Sequence, residues 1–345
     1  MTAPLLKVTG VVKRFGKGPG VFSRDRQPVR AVNGVDLEIA AGETLGLVGE
    51  SGCGKSTLGR IVTGQTTPTS GTVEYEGLDI STNPPKGGSG VQMIFQDPYG
   101  SLNPRMTVRS IVGEPLVLSR YGSAARRAER VDELLGLVGL PVTFGERYPH
   151  EMSGGQRQRT AIARALALNP RLIVCDEPVS ALDVSIQAQI LNLLKDLQEK
   201  MGVSYLFIAH GIQAVNYVSG RIAVMYLGEI MELGPADQVF RDPLHPYTEA
   251  LRSAIPHADP HKRDRERIIL SGDLPSAKNV PRGCPFATRC PKVMAHCADI
   301  KPAMTVRDGR TVACLLYEPN LGRPEGATAP PHETDQEVES RMEQR

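Results

Sequence analysis

Residues 49–57 read GESGCGKST, and this stretch is the strongest indication of the fold. It fits the pattern G-x-x-x-x-G-K-[ST], with the apolar run Thr44–Val48 before it and a helical stretch, residues 57–63, after it. Glycines allow a tight turn whose N–H groups point inward at phosphate oxygens, and the start of the following helix attracts anions. The strand and helix on either side disfavour the alternative, a glycine-rich turn that contains a lysine by chance.

This loop predicts a nucleotide site. Lys55 would place its charge on the β- and γ-phosphates, and the Ser56 hydroxyl would ligate Mg²⁺. The predicted nucleotide-binding residues of the loop are Gly49, Glu50, Ser51, Gly52, Cys53, Gly54, Lys55, Ser56 and Thr57.

A second segment, RLIVCDEP at residues 171–178, predicts a buried strand that ends in two carboxylates. Asp176 at the strand tip is a candidate Mg²⁺ ligand, directly or through water. Glu177 is a candidate base that polarises a water attacking the γ-phosphate. Together with the glycine loop, these acids indicate a nucleoside triphosphatase or a kinase. Cys175 in this run and Cys53 in the loop are interpreted as small buried residues and not as metal ligands.

A third segment, MSGGQ at residues 152–156, offers a second anion-binding helix start. A second phosphate site in a chain with one nucleotide loop predicts nucleotides shared between two chains. The predicted contacts are Ser153, Gly154, Gly155 and Gln156.

The pattern of elements predicts an α/β fold with a parallel sheet. Apolar runs typical of buried strands occupy Thr44–Val48, Ser204–Ala209 and residues 5–12, 31–39, 91–95 and 172–175. They alternate with helical periodicity at residues 125–138, 155–168 and 185–201. A mostly helical segment, residues 97–167, interrupts the alternation and is a candidate inserted subdomain. The Gly/Pro/Arg-rich residues 16–28 are predicted to be a loop, and residues 321–345 a disordered tail.

Composition excludes several classes of protein. The net charge of +2 gives no field for nucleic acid, so no nucleic-acid partner is expected. No apolar run reaches the roughly 18–20 residues that span a bilayer, and the first ten residues lack the pattern of a signal peptide. We therefore expect a cytosolic protein that reaches a membrane through a partner.

Four of the six cysteines cluster late in the chain, at Cys284, Cys290, Cys297 and Cys314. Their spacing is not the paired C-x-x-C of zinc ribbons. Spacing alone leaves disulfides, a metal site and reduced thiols open, although a cytosolic location argues against disulfides.

MSGGQ closely resembles the LSGGQ signature of ABC ATPases, and other motifs match that family in order. Gln96 in IFQDP matches the Q-loop, Asp183 in SALDVS the D-loop and His210 in LFIAHG the H-loop. Phe15 fits the aromatic residue that stacks on adenine. The resemblance implies Gln96, Glu177 and His210 as catalytic residues and Gln96, Ser56 and Asp176 as Mg²⁺ ligands. The family usually has Asp after the histidine, where this chain has Gly211; the following helix then lacks its usual cap.

Three longer segments, residues 95–108, 148–159 and 244–256, resemble the ATP-binding subunits of peptide/nickel ABC importers. The implied fold is a P-loop NTPase (RecA-like) cassette with antiparallel β and helical subdomains over residues 1–240. Residues 241–320 would form the C-terminal extension. The implied function is ATP-driven uptake of peptides, with ATP and Mg²⁺ bound, at the cytoplasmic face of the membrane. Nickel or glutathione import and a soluble, non-transport ABC ATPase are the alternatives.

The same resemblance implies partners: a second ATPase subunit, most simply in a heterodimer, two membrane permease subunits, and an extracytoplasmic substrate-binding protein. It also bears on the four clustered cysteines, because some members of this branch carry a [4Fe–4S] cluster on four cysteines. We therefore expect a structural [4Fe–4S] site there, with Zn²⁺ as the alternative and bare thiols as the third choice.

Overall fold

The computed structural model describes residues 3–16, 28–81, 90–255, 268, 270 and 275–318. The predicted loop at residues 16–28 lies almost entirely outside this part of the chain, and the predicted tail lies wholly outside it.

Two sheets form the framework. The first is antiparallel, with strand order β2-β1-β4-β5. The second has eight strands in the order β11-β12-β10-β9-β3-β8-β7-β6. The strands are β1 (Leu6–Phe15), β2 (Val29–Ile39), β3 (Thr44–Val48), β4 (Ser70–Tyr75), β5 (Leu78–Asp79), β6 (Val91–Ile94), β7 (Leu172–Asp176), β8 (Ser204–Ala209), β9 (Arg221–Tyr226), β10 (Glu229–Pro235), β11 (Thr305–Arg307) and β12 (Arg310–Val312).

Nine α-helices surround the sheets within the described ranges. They are α1 (Lys55–Val62), α2 (Pro98–Ser101), α3 (Val108–Leu118), α4 (Ala124–Leu137), α5 (Gly154–Leu166), α6 (Val184–Met201), α7 (Ile212–Val218), α8 (Ala236–Arg241) and α9 (Pro246–Ser253). Short 3₁₀ turns add Val142–Glu146, Pro149–Glu151, Ala287–Arg289, Ala295–Ala298 and Leu315–Tyr317. The α/β prediction is confirmed, and residues 97–167 hold α2 to α5 between β6 and β7.

The middle of the large sheet is parallel, with β3 between β8 and β9, and β7 between β6 and β8. Every residue of β3, β7 and β8 is buried, as expected for strands covered on both faces. Alternate residues of β7 point to opposite sides: Leu172 and Val174 join the core shared with the antiparallel sheet and α1, whereas Ile173 and Cys175 join the core under the other helices.

The C-terminal extension is continuous with this framework. Its hairpin β11–β12 pairs with β10 through Glu232↔Val312 and Leu233↔Thr311, and so lengthens the large sheet. The buried Arg310 lies 3.8 Å from the buried Glu232 carboxylate, which also accepts the backbone N–H groups of Leu244 and His245. These contacts fix the extension to β10.

Candidate nucleotide-binding site

The glycine loop lies where β3 ends and α1 begins. Gly54 is the N-cap of α1, with φ of 109°, a left-handed conformation that favours glycine. A Cβ at Gly54 would lie 2.0 Å from the carbonyl oxygen of Ala31, so the loop also needs a residue without a side chain here. No side chain caps α1, which leaves its first N–H groups for a phosphate.

Lys55 is folded across this loop and is only 3% exposed. Its Nζ donates to the carbonyl oxygens of Gly49 at 2.7 Å and Glu50 at 3.0 Å. Burial raises the pKa of the Cys53 thiol, and the Lys55 ammonium opposes that rise. The Lys55 ammonium therefore lies against the backbone carbonyl oxygens of the glycine loop, and its contact with the β- and γ-phosphates stays a prediction.

Ser56 and Asp176 meet between α1 and the tip of β7. The Ser56 hydroxyl donates to Asp176 Oδ1 at 2.9 Å. Burial raises the pKa of Asp176, and the Ser56 hydroxyl and nearby cations offset part of the rise. A hydroxyl and a carboxylate side by side are oxygen ligands that suit Mg²⁺. An ion held by these two residues would neutralise charge on the phosphates.

Glu177 is bound on both sides by predicted catalytic residues. Its Oε2 accepts from Gln96 Nε2 at 2.7 Å, and its Oε1 lies 2.5 Å from His210 Nε2. These residues follow β6, β7 and β8, which are neighbours in the sheet, so the ends of adjacent parallel strands bring them together. The backbone of Glu177 has φ of 50°, a costly conformation for a non-glycine residue that is often found at active sites.

The amide of Gln96 therefore faces Glu177 and not the Ser56–Asp176 pair. Its predicted role as a Mg²⁺ ligand stays a prediction.

Ser153 and Gln156 form a reciprocal cap at the start of α5. The Gln156 N–H donates to Ser153 Oγ at 3.3 Å, and the Ser153 N–H donates to Gln156 Oε1 at 3.0 Å. Gly155 packs on α6, where an added Cβ would lie 2.8 Å from Ile186 Cγ2. Among the described residues, no hydrogen bond or ion pair joins this helix start to the glycine loop of the same chain.

The remaining predicted contacts are accessible. Phe15 ends β1 with 44% of its surface exposed, and Lys13 Nζ lies 5.1 Å from its ring centroid. Asp183 precedes α6, and its side chain makes no capping hydrogen bond.

Gly211 precedes α7 without a side-chain cap, as predicted, and the helix forms nevertheless.

Two family models match the chain. The model described as "ABC transporter" matches residues 32–180, which include the glycine loop and the MSGGQ segment. The model described as "Oligopeptide/dipeptide transporter, C-terminal region" matches residues 231–297.

Curated relatives match over nearly the whole chain. A putative oligopeptide transport ATP-binding protein of Bacillus subtilis, YkfD, is 53% identical over 91% of this chain and 96% of its own length. The dipeptide transport ATP-binding protein DppF of Escherichia coli is 46% identical, over 91% and 95%. The chain belongs to the ABC transporter ATP-binding proteins of the oligopeptide/dipeptide type. It is therefore an ATPase.

Solved ABC cassettes share the fold. The dimeric MJ0796 cassette bound to ADP and Pi is 31% identical, with a TM-score of 0.59, and covers 67% of this chain and 98% of its own. CbiO1 from Clostridium perfringens, part of the transporter complex cbiONQ, is 25% identical, with a TM-score of 0.60 over 69% and 91%. None of the helices described in this ABC ATPase has the length and apolar character needed to cross a membrane.

Two residues of the C-terminal extension reach the glycine loop of this ABC ATPase, and the sequence did not predict them as part of the site. The Tyr247 hydroxyl accepts from the Glu50 N–H at 2.8 Å. Arg289 Nη1 donates to Glu50 Oε2 at 2.7 Å. Tyr247 lies in residues 244–256, one of the segments that resemble the importer branch, but nothing in the spacing of Tyr247 or Arg289 indicates a contact with the loop.

All six cysteines are free. The four clustered thiols lie close enough to affect one another electrostatically. Burial raises the pKa of Cys284 to about 11 and that of Cys314 to about 12, and the neighbouring thiols of Cys290 and Cys297 add to both shifts. Within the described ranges, however, no group of three or more His, Cys, Asp or Glu side chains is arranged to hold a metal ion. As placed, the four cysteines share one neighbourhood without forming a coordination shell.

Proposed function

We propose that this ABC ATPase powers the uptake of oligopeptides or dipeptides by an ABC importer. The observation that supports ATP hydrolysis is the position of Glu177. Its carboxylate is held between Gln96 and His210, and the Ser56–Asp176 pair lies beside it. The names of the relatives and the match of residues 231–297 support peptides as the solute. They favour peptides over nickel or glutathione, and transport over a non-transport role.

The residues divide the work of hydrolysis. Lys55 and the N–H groups at the start of α1 bind the phosphates of ATP. Glu177 accepts a proton from the water that attacks the γ-phosphorus, and ADP is the leaving group. His210 and Gln96 hold the Glu177 carboxylate in place from both sides.

The exposed start of α5 supports a head-to-tail dimer. Ser153 to Gln156 would contact the γ-phosphate held by the Lys55 loop of a second cassette, so that ATP joins the two chains and hydrolysis separates them. We propose that the second cassette is a different chain. Two membrane permease subunits and an extracytoplasmic substrate-binding protein complete the complex, and this chain lies at the cytoplasmic face of the membrane.

Reconstitution tests this function. Proteoliposomes that contain the permease subunits, the partner ATPase, this chain and the substrate-binding protein should accumulate labelled peptide when ATP is supplied on the side of the ATPases. ATP hydrolysis should rise when peptide-loaded binding protein is present. Full hydrolysis by the isolated chain, unaffected by permease subunits, would contradict transport coupling. Accumulation of Ni²⁺ or glutathione in place of peptide would contradict the proposed solute.

A second proposal concerns the extension: Cys284, Cys290, Cys297 and Cys314 converge on one metal centre, a [4Fe–4S] cluster or Zn²⁺, with a structural role. It is supported by the shared neighbourhood of the four thiols and requires their side chains to move together. Anaerobic purification with iron, sulfide and zinc assays tests it. Protein with neither a cluster nor stoichiometric zinc would contradict it.

A further inference from the structure

Glu50 is the second residue of the glycine loop, and the C-terminal extension holds it at two points. Tyr247 binds its backbone N–H, and Arg289 binds its carboxylate. The ion pair is largely shielded from water, since the Arg289 side chain is 10% exposed and that of Glu50 is 24% exposed. The two partners are 239 residues apart in sequence, so this contact exists only because the extension folds back onto the loop.

Arg289 is held in this position by its surroundings. It ends the 3₁₀ turn Ala287–Arg289, which follows the fully buried Phe286. The Phe286 ring packs edge-on against Tyr226, with ring centroids 5.3 Å apart, and at the same distance from Tyr247. A packed aromatic group therefore fixes the turn relative to the same tyrosine that binds the Glu50 backbone.

The negative charge of Glu50 affects ATP binding. A carboxylate within a phosphate-binding loop repels the polyphosphate, and the repulsion is strong where water is partly excluded. The neighbouring Lys55 donates to the Glu50 carbonyl oxygen at 3.0 Å, so a displacement of Glu50 also moves an acceptor of the phosphate-binding lysine.

We propose that Arg289 is a positioning residue for ATP binding: it neutralises and anchors Glu50 so that the glycine loop accepts the triphosphate. The C-terminal extension is then part of the nucleotide site by way of the Arg289–Glu50 pair and the Tyr247 hydroxyl. This inference rests on ATP binding by the cassette and is independent of the imported solute.

The test measures ATP affinity of the full-length chain with a fluorescent ATP analogue, together with KM and kcat for hydrolysis in the assembled complex. Arg289→Ala should weaken ATP binding roughly five- to thirty-fold, because it leaves a partly buried carboxylate unpaired within the phosphate-binding loop. The effect should appear in KM, with kcat at saturating ATP retained. Lys292→Ala is the matched control: Lys292 lies in the same segment but pairs with Glu249 and, among the described residues, forms no hydrogen bond or ion pair with the glycine loop. The Lys292→Ala variant should therefore bind ATP as tightly as the native chain.

A double-mutant cycle tests whether Arg289 acts through Glu50. In the Glu50→Gln background the repelling charge is gone, so Arg289→Ala should add less than about a threefold loss. An undiminished effect of Arg289→Ala in that background would overturn the proposal, and so would native affinity of Arg289→Ala in the wild-type background. If Arg289→Ala fails to fold, Arg289→Lys and Arg289→Gln carry the test. The Arg289→Lys variant should bind ATP more tightly than the Arg289→Gln variant, and equal affinities of the two would contradict the proposal.

Discussion

Glu177 Oε1 lies 2.5 Å from His210 Nε2, and the carboxylate that accepts this contact is only 6% exposed. The two residues directly follow adjacent parallel strands, and the Glu177 N–H donates to the carbonyl oxygen of Ile208 at 2.9 Å. The strained φ of Glu177 is thus held by a backbone bond and by two side-chain partners. The carboxylate is oriented before a nucleotide arrives.

Glu177→Gln should separate binding from hydrolysis. The amide keeps the shape and the Gln96 contact but cannot accept a proton, so we expect hydrolysis to fall about 10²- to 10⁴-fold while ATP binding persists. Phosphate release by the assembled complex and equilibrium binding of the ATP analogue measure the two effects. Hydrolysis within a few fold of the native rate would show that another group acts as the base.

Ser153→Asp should separate helix capping from phosphate binding. Aspartate caps a helix as well as serine, and its negative charge interacts favourably with the helix dipole. We therefore expect α5 to form and the thermal stability to be retained. The charge of the aspartate repels a γ-phosphate bound by a second cassette, so ATP-dependent association with that cassette should be lost. Thermal unfolding of the variant measures stability. Light scattering of this chain, in the hydrolysis-deficient Glu177→Gln background, mixed with the partner cassette with and without ATP measures association. Intact ATP-dependent association would argue against a phosphate contact at Ser153.

His245 should make folding sensitive to acid. Burial lowers its pKa to about 3, whereas an unfolded histidine titrates near 6.5. The unfolded chain therefore binds the extra proton between these values. The contribution to stability is complete above about pH 6.5 and is lost as the pH falls towards 3, at up to about 1.4 kcal/mol per pH unit.

Urea unfolding across this pH range measures how steeply the free energy of unfolding changes with pH. The matched variant is His245→Asn, which keeps an acceptor for the Tyr247 N–H at the start of α9 but does not titrate. We expect a shallower fall in its free energy of unfolding, since other groups titrate equally in both proteins. Parallel curves for the two would show that His245 is not responsible.

Gly49→Ala should damage the loop sterically. A Cβ there would lie 2.1 Å from the carbonyl oxygen of Met225 and 2.9 Å from Cys53 Sγ, so backbone must move. We expect a loss of about 1–3 kcal/mol in the free energy of unfolding and weaker ATP binding. Gly136→Ala in α4 is the control: its Cβ meets nothing within 4 Å, and alanine should stabilise that helix by about 0.5–1 kcal/mol. Equal stability changes for the two variants would contradict this account.

The fold was predictable where the signal is local. The apolar runs that became β3, β7 and β8 are long enough to be recognised, and the glycine loop requires a helix to begin directly after it. The two-residue strand β5 and the three-residue strands β11 and β12 were not predicted, because such short strands are stabilised by partners distant in sequence.

The amino-acid sequence by itself determined which chemical groups this protein carries. They are a glycine loop with a lysine, two carboxylates after a buried strand, and a helix that starts with serine and glycine. Each is a local pattern with a local physical cause. Which of these groups touch depends on the tertiary structure alone. The order of β6, β7 and β8 places Gln96 and His210 on Glu177, and the folding back of the C-terminal extension places Arg289 on Glu50. Such contacts depend on packing between segments far apart in the chain, and no local pattern encodes that packing.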